Sequence, residues 1–159
     1  MQGSQPSDPH TYLPWEQSSL AVLGDSGLLR LGTATAANFR ILGIRRSGGD
    51  RLARANRRLA KCRKLAASNP ARFRSHAAAY AEAGRVVVEH YLMSQVLRDR
   101  PAMLSDAVAG KLQASLGGAD ELSDDRNPIA RNTQFEMYVF TLLVLGRCYV
   151  RVDEPDLRT

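Results

Sequence analysis

The stretch from Asp50 to Asp99, DRLARANRRLAKCRKLAASNPARFRSHAAAYAEAGRVVVEHYLMSQVLRD, contains the pattern that decides the fold. In its first part, apolar residues recur three and four positions apart, which is the period of one narrow helix face. These residues are Leu52, Ala55, Leu59, Cys62 and Ala66. Because Asp is a good N-cap, we expect a helix from Asp50 to about Ser68.

A second helix should follow at once, because Asn69-Pro70 combines a capping residue with a proline that suits the first helical turn. Pro101 predicts the end of this helix near Asp99. Its apolar positions are Phe73, Ala77, Tyr80, Gly84, Val87 and Tyr91. Two long helices joined by so short a turn should lie side by side as an antiparallel hairpin.

The flanks of the hairpin are less regular. On the N-terminal side, residues 15–42 are short apolar pieces interrupted by glycines and predict at most one or two short helices. On the C-terminal side, Pro101 to Leu116 predicts a third helix. A final helix should begin near Asn127-Pro128 and end at Gly146, a natural C′ residue.

After Gly146, the side chains alternate in the manner of a half-buried strand, with Cys148, Val150 and Val152 on one side and Tyr149 and Arg151 on the other. The expected fold class is therefore mainly α, a helical hairpin with additional helices and one short C-terminal β-strand. Such a strand has no internal partner, so it should lie on a helix, extend freely or pair with another chain, and self-association is a possible result.

Composition divides the chain into four parts. Residues 1–14 are rich in Pro, Ser, Gln and Asp and predict a flexible tail. Residues 15–116 form a helical, basic domain, 117–127 an acidic polar linker, and 128–159 a helix followed by a strand. The longest apolar run is far shorter than the roughly 20 residues of a membrane helix. With no signal-peptide pattern and only two cysteines in no framework spacing, a cytoplasmic protein is expected.

The net charge of +6 is concentrated in one segment. Between Arg40 and Arg74 there are 12 Lys or Arg and one acid, Asp50, which gives +11. The remaining 10 basic and 15 acidic residues give −5. Such polarity favours a polyanionic partner.

Nine cations of this segment could each neutralise a phosphate, in binding that is salt-sensitive and largely independent of sequence. They are Arg45, Arg46, Arg51, Arg54, Arg57, Arg58, Lys61, Arg63 and Lys64. No aromatic residue lies between Arg40 and Phe73, so base stacking has no platform there. The alternative is a solvated helix face, or one paired with the acids Glu82, Glu89, Asp120, Glu121, Asp124 and Asp125.

Carboxylates at the C-terminal end form a second pattern. Glu136 lies three, four and seven residues before Val139, Phe140 and Leu143, so it should sit along an apolar helix face. A carboxylate in such a place needs a cation or a strong hydrogen-bond partner. The strand that follows carries further acids, among them Asp156. A helix glutamate facing a strand-end aspartate is a reasonable way to hold Mg²⁺, which can activate water for phosphodiester hydrolysis.

The segment Arg131-Asn-Thr-Gln-Phe-Glu136, the apolar helix, Gly146, a short strand and Glu154-Pro155-Asp156-Leu157 resemble the opening of a restriction-endonuclease-like core of the PD-(D/E)XK superfamily. The resemblance covers about residues 127–159. It implies that Glu136 is the first-helix acid and Asp156 the motif aspartate. The family's third strand, with its acid-x-lysine pair, has no counterpart after Asp156. The resemblance therefore implies the start of an incomplete α/β nuclease-like core, inactive as this chain alone.

Two functions are compatible with these patterns. The first is a truncated or partial nuclease-like protein whose basic helical region binds nucleic acid. The second is a non-enzymatic helical module that binds protein through the Leu52–Ala66 face or through the C-terminal strand. Steep salt dependence of nucleic-acid binding is expected only for the first.

Overall fold

The computed structural model of the chain describes residues 25–118 and 128–148. In these two ranges the backbone forms helices and no strand. The helices are α1 (Asp25–Ile41), α2 (Arg51–Ser68), α3 (Pro70–Arg74), α4 (Ala77–Asp99), a 3-10 helix (Pro101–Met103), α5 (Asp106–Ser115) and α6 (Ile129–Leu145). The mainly helical prediction is confirmed. The predicted strand falls, apart from Cys148, outside the described residues.

The α2–α4 hairpin begins at the predicted cap. The Asp50 side chain accepts a hydrogen bond from the backbone N–H of Ala53 at 2.7 Å, which satisfies one of the amides left free at a helix N-terminus. At the far end of α2, Asn69 accepts from the N–H of Arg72 at 3.0 Å and starts α3. The two long helices pack against each other as expected.

The prediction of one continuous helix from Pro70 to Asp99 is wrong at Ser75 and His76, which form a turn between α3 and α4. The hydroxyl of Ser75 donates to the carbonyl of Arg72 at 2.8 Å, and His76 Nδ1 lies 3.2 Å from the same carbonyl oxygen. Side chains that bond the local backbone in this way compete with helical hydrogen bonding.

The N-terminal expectation of short helices is also wrong, because α1 runs for 17 residues. Its glycines do not interrupt it. At Gly32 the helix passes so close to α2 that a Cβ atom would lie 2.0 Å from Oδ1 of Asn56. A glycine that looks like a break in the sequence is therefore a contact point between two helices.

Helix α4 is the centre of the bundle and packs against α1, α2 and α6. One hydrophobic cluster joins Leu52 and Leu59 of α2 to Val87 of α4 and to Met137 and Phe140 of α6. The last helix thus shares its core with the hairpin. The division into domains stays a prediction, since residues 119–127 lie outside the described ranges.

The C-terminus of α6 differs in detail from the prediction. Gly146, expected at C′, has φ −70° and is the C-cap, whereas Arg147 has φ +60° and occupies the left-handed position. The N–H of Cys148 donates to the carbonyl of Leu143 at 2.9 Å, and the N–H of Arg147 donates to that of Val144 at 3.2 Å. These two bonds form a Schellman motif.

Candidate nucleic-acid interface

The outer face of α2 is a line of cations. Arg57, Lys61 and Lys64 are spaced four and three residues apart, so they share one side of the helix. That side is opposite to the apolar face whose Leu52 and Leu59 are buried in the core. All three cations are exposed, and below they are called the α2 basic face. Arg63 is also exposed, but it lies about 100–160° away from them around the helix axis.

The arginines nearest the start of α2 also hold the loop before it. Arg57 donates from a terminal guanidinium nitrogen to the carbonyl of Gly48 at 2.6 Å, and Arg54 donates to the carbonyls of Gly49 and Gly118. A guanidinium has five N–H donors, so the exposed Arg57 keeps donors for a ligand while it fixes the loop.

Arg46 is paired with the capping residue. Its guanidinium donates two bonds to the Asp50 carboxylate, at 2.8 and 2.9 Å. Burial alone raises the pKa of Asp50, but the hydrogen bonds from Arg46 and from the backbone of Ala53 outweigh it, so the pKa lies below its usual value. Arg46 is therefore part of the helix cap, while Arg45 beside it is exposed.

Arg51 is a correction to the predicted phosphate contacts. Its side chain is only 1% exposed, and its guanidinium lies 3.5 Å from the Glu82 carboxylate. Position 51 falls on the inner side of α2 together with Leu52, and the sequence pattern did not separate it from its exposed neighbours. Arg58 is half-buried and lines the same small cleft as Arg51 and Glu82, which has room for about one water molecule.

Of the acids proposed as partners of the basic segment, Glu82 contacts Arg51 of that segment, but its closer partner is Arg85, at 2.7 Å. Glu82 and Glu89 both accept hydrogen bonds from Arg85, and Glu89 also accepts from Gln134. Burial raises the pKa of Glu82, but the bonds from Arg85 and the charges of Arg85 and Arg51 lower it further than burial raises it. Asp120, Glu121, Asp124 and Asp125 lie outside the described residues.

Two exposed arginines of α3, Arg72 and Arg74, extend the positive charge beyond the end of α2. They were counted in the basic segment but not among the predicted phosphate contacts. The Asn69-Pro70 junction in the sequence could have indicated these two arginines as phosphate contacts. It places α3 directly after α2, and the two helices are in contact.

The predicted metal ligands are not assembled in the described part of the chain. Glu136 is 45% exposed, and its carboxylate accepts a hydrogen bond from the Lys111 ammonium at 2.8 Å. It does not lie on a buried apolar face, because the core side of α6 is formed by Met137, Phe140 and Val144. Lys111 supplies the compensating cation.

Asp156, the other predicted ligand, is outside the described residues. In residues 25–118 and 128–148, no group of three or more His, Cys, Asp or Glu side chains is arranged to hold a metal ion. Of the two predicted ligands, the structure therefore describes Glu136 alone, with its carboxylate paired with Lys111.

The Leu52–Ala66 face, the first surface considered for binding another protein, is also corrected by the structure. Leu52, Ala55, Leu59 and Cys62 are buried against the rest of the bundle. This face stabilises the hairpin and is closed to a partner.

None of the helices in the described ranges is long and apolar enough to cross a bilayer.

No family model matches this chain, and neither does any curated protein or solved structure.

Proposed function

We propose that this protein binds the phosphate backbone of nucleic acid through the α2 basic face. The observation that carries the proposal is the composition of α2, which has seven Lys or Arg and no acid in 18 residues. A helix face that merely faces water usually mixes both signs of charge. Like charges three and four residues apart repel one another and weaken the helix. Binding of a polyanion reduces this repulsion, so it should stabilise α2 in the complex relative to the free protein.

The expected recognition is by charge and not by base sequence. The exposed cations of the α2 basic face form a line, and α2 has no aromatic side chain on which bases could stack. Contacts to phosphate fix position but carry no sequence information. Affinity should therefore depend on salt and hardly on base composition.

The test compares two double substitutions that remove the same charge. Lys61→Gln with Lys64→Gln changes the α2 basic face, and Lys111→Gln with Arg147→Gln changes exposed or half-exposed cations near α6. Binding of a fluorescent DNA duplex and an RNA duplex is measured by anisotropy over a series of salt concentrations. The first variant should reduce the slope of log K against log salt by about 2, since each phosphate contact contributes about 0.9.

The control variant should keep most of the wild-type slope. Equal losses in both variants would show that only the net charge of the chain matters. Absence of binding to either duplex at low salt would remove the proposal altogether. Circular dichroism of all three proteins establishes that each is folded.

The nuclease resemblance supports a narrower proposal, a Mg²⁺ site formed by Glu136 and Asp156. It predicts that millimolar Mg²⁺ raises the melting temperature of the wild type and that Glu136→Gln or Asp156→Asn abolishes this gain. A wild-type melting curve that Mg²⁺ leaves unchanged would exclude the site. This result is independent of the duplex-binding test.

A further inference from the structure

The side of α6 that faces away from the core carries a regular row of residues. Asn132, Phe135, Val139 and Leu142 are spaced three, four and three positions apart, so they lie on one side of the helix. Below, these four residues are called the α6 seam. Phe135 and Leu142 are 66% and 43% exposed, although both are apolar. Asn132 is exposed too, and Val139 is half-buried. The residues that the structure describes therefore leave this row open to solvent.

The spacing of the α6 seam is that of the contact positions in a coiled coil. These positions, called a and d, repeat every seven residues on the side where two helices meet. In this register Asn132 and Val139 are a residues, and Phe135 and Leu142 are d residues. A β-branched residue at a with Leu at d favours two parallel strands, and one Asn at a fixes how two identical helices align. The pattern therefore favours a second copy of α6, in parallel orientation, as the partner of the seam.

The charged residues beside the seam agree with this orientation. Arg131 lies on one flank of the seam, at position g, and Glu136 on the other flank, at position e. In a parallel pair, a g residue of one helix lies beside the e residue five positions later on the other, so Arg131 meets Glu136 of the second copy. Glu136 is 45% exposed although it bonds to Lys111, and a carboxylate can accept several hydrogen bonds. A parallel pair therefore forms two ion pairs across the contact.

The area of the seam decides how strongly two copies should associate. Its exposed apolar side chains amount to on the order of a few hundred Å² per chain, the size of the largest apolar patch on an ordinary monomer. Two copies together bury less than the roughly 1,200 Å² at which stable interfaces begin, so a weak and reversible contact is expected. Packing against α4 and α5 already holds α6 as a helix, so association does not have to order it. We propose that two copies of this chain form a reversible parallel dimer through the α6 seam.

The first experiment replaces the apolar d residues of the seam in the full chain. Phe135→Gln with Leu142→Gln is the seam variant, and Ile129→Gln with Leu145→Gln is the matched control. The control positions are also apolar residues of α6, 67% and 46% exposed, but they point away from the seam. Sedimentation equilibrium from micromolar to millimolar protein should show the wild-type mass rising from that of one chain towards that of two. The seam variant should raise the dissociation constant at least about tenfold, and the control by less than about threefold.

The same measurements can overturn the proposal. A wild type that stays monomeric at every concentration would show that the seam does not bind a second copy. A seam variant that dimerises like the wild type, or a control that loses as much as the seam variant, would show that any dimer forms elsewhere. Circular dichroism of the three proteins establishes that each is folded.

A second experiment tests the parallel orientation with charges alone. Arg131→Glu and Glu136→Lys each place like charges opposite each other in the parallel dimer, so each alone should raise the dissociation constant roughly three- to tenfold. An equimolar mixture of the two variants should recover the wild-type association, because both pairs across the contact are then of opposite sign. A mixture that associates no better than the separate variants would rule out the parallel dimer. This experiment leaves the apolar seam intact, so it decides the question even where the glutamine variants do not fold.

Discussion

Helices α2 and α6 are alike on their inner sides and opposite on their outer sides. They have 18 and 17 residues, and both pack against α4. Inside, Leu59 of α2 and Met137 of α6 belong to one hydrophobic cluster. Outside, α2 presents cations and α6 presents apolar side chains. The inner side of each helix determines where it packs, whereas the outer sides offer different surfaces to solvent, cations on α2 and apolar side chains on α6.

The largest expected effects are on the free energy of unfolding, and they test whether the inner sides of α2 and α6 both belong to the common core. Leu59→Ala and Met137→Ala each remove a side chain that is 1% exposed. Each should lower the free energy of unfolding by roughly 2–5 kcal/mol, from lost burial and from the cavity left behind. Urea denaturation measures this. A loss below about 1 kcal/mol at either position would show that this helix is not held by the common core.

The next effect concerns α4, the helix against which both pack. His90 is completely buried, and burial lowers the pKa of its imidazole to about 4. Its Nδ1 lies 2.7 Å from the Val86 carbonyl oxygen and its Nε2 lies 3.1 Å from Oγ of Ser115. In the neutral ring Nδ1–H donates to the Val86 carbonyl, and the one hydroxyl hydrogen of Ser115 is shared between Nε2 and the Leu112 carbonyl oxygen, which lies 2.7 Å from the Ser115 Oγ.

The sign of the pH effect follows from this pKa. In the unfolded chain His90 takes up a proton near its ordinary value of 6.5, whereas the folded protein resists protonation down to about 4. Stability is therefore complete above pH 6.5 and falls as the pH drops towards 4, by about 3 kcal/mol at most. The lowered pKa of Asp50 adds its own loss only at more acidic pH. Urea denaturation at several pH values should show this slope, and His90→Gln should flatten it.

Two glycine substitutions give a smaller effect, and they test how closely α2 is packed on its inner side. Gly32→Ala should lower the free energy of unfolding by about 1–2 kcal/mol, because the new methyl group overlaps Asn56 of α2. Gly110→Ala is the matched control in α5, where the added Cβ has no neighbour within 4 Å. It should raise the free energy by about 0.5–1 kcal/mol, since alanine is the better helix former. Two gains would mean that the Asn56 side chain turns away from the new methyl group at little cost.

The sequence predicts the hairpin well because its signals are local. The Asp50 cap, the Asn69-Pro70 junction and the apolar period of α2 all act within a few residues, and the structure has them where they were expected. One failure involves a contact between distant segments, because Gly32 resembles a break until Asn56 is placed against it. The other is local, because the turn at Ser75 and His76 depends on side chains that bond the backbone of Arg72, three and four residues earlier.

The composition of the candidate site could be predicted from the sequence, but not which of its residues are buried and paired within the fold and which are exposed. The helical period places Lys61 opposite the apolar face and Arg51 beside it, but it does not show that Arg51 is buried, since Arg63 lies as close to that face and is exposed. The distinction requires the helix to be oriented against α4, where Glu82 lies 3.5 Å from Arg51. Likewise, the apolar neighbours of Glu136 indicated burial, while the structure pairs this residue with Lys111, 25 positions away.

The smallest expected effect on stability belongs to the α2 basic face. Lys61→Ala with Lys64→Ala should change the free energy of unfolding by less than about 0.5 kcal/mol, or raise it slightly, because exposed side chains contribute little and like charges are removed. Arg51→Ala, at the buried end of the same helix, should instead lower it by about 3 kcal/mol, because the change opens a cavity and removes a charge beside Glu82.

Salt distinguishes repulsion from packing as the origin of this small effect. Added salt screens the cations of the α2 basic face, so it should raise the melting temperature of the wild type more than that of the Lys61/Lys64 variant. An equal rise in both would place the repulsion elsewhere in the chain. A large loss of stability in the variant would mean that these lysines hold the fold together, and the contrast between the outer sides of α2 and α6 would then no longer indicate different partners.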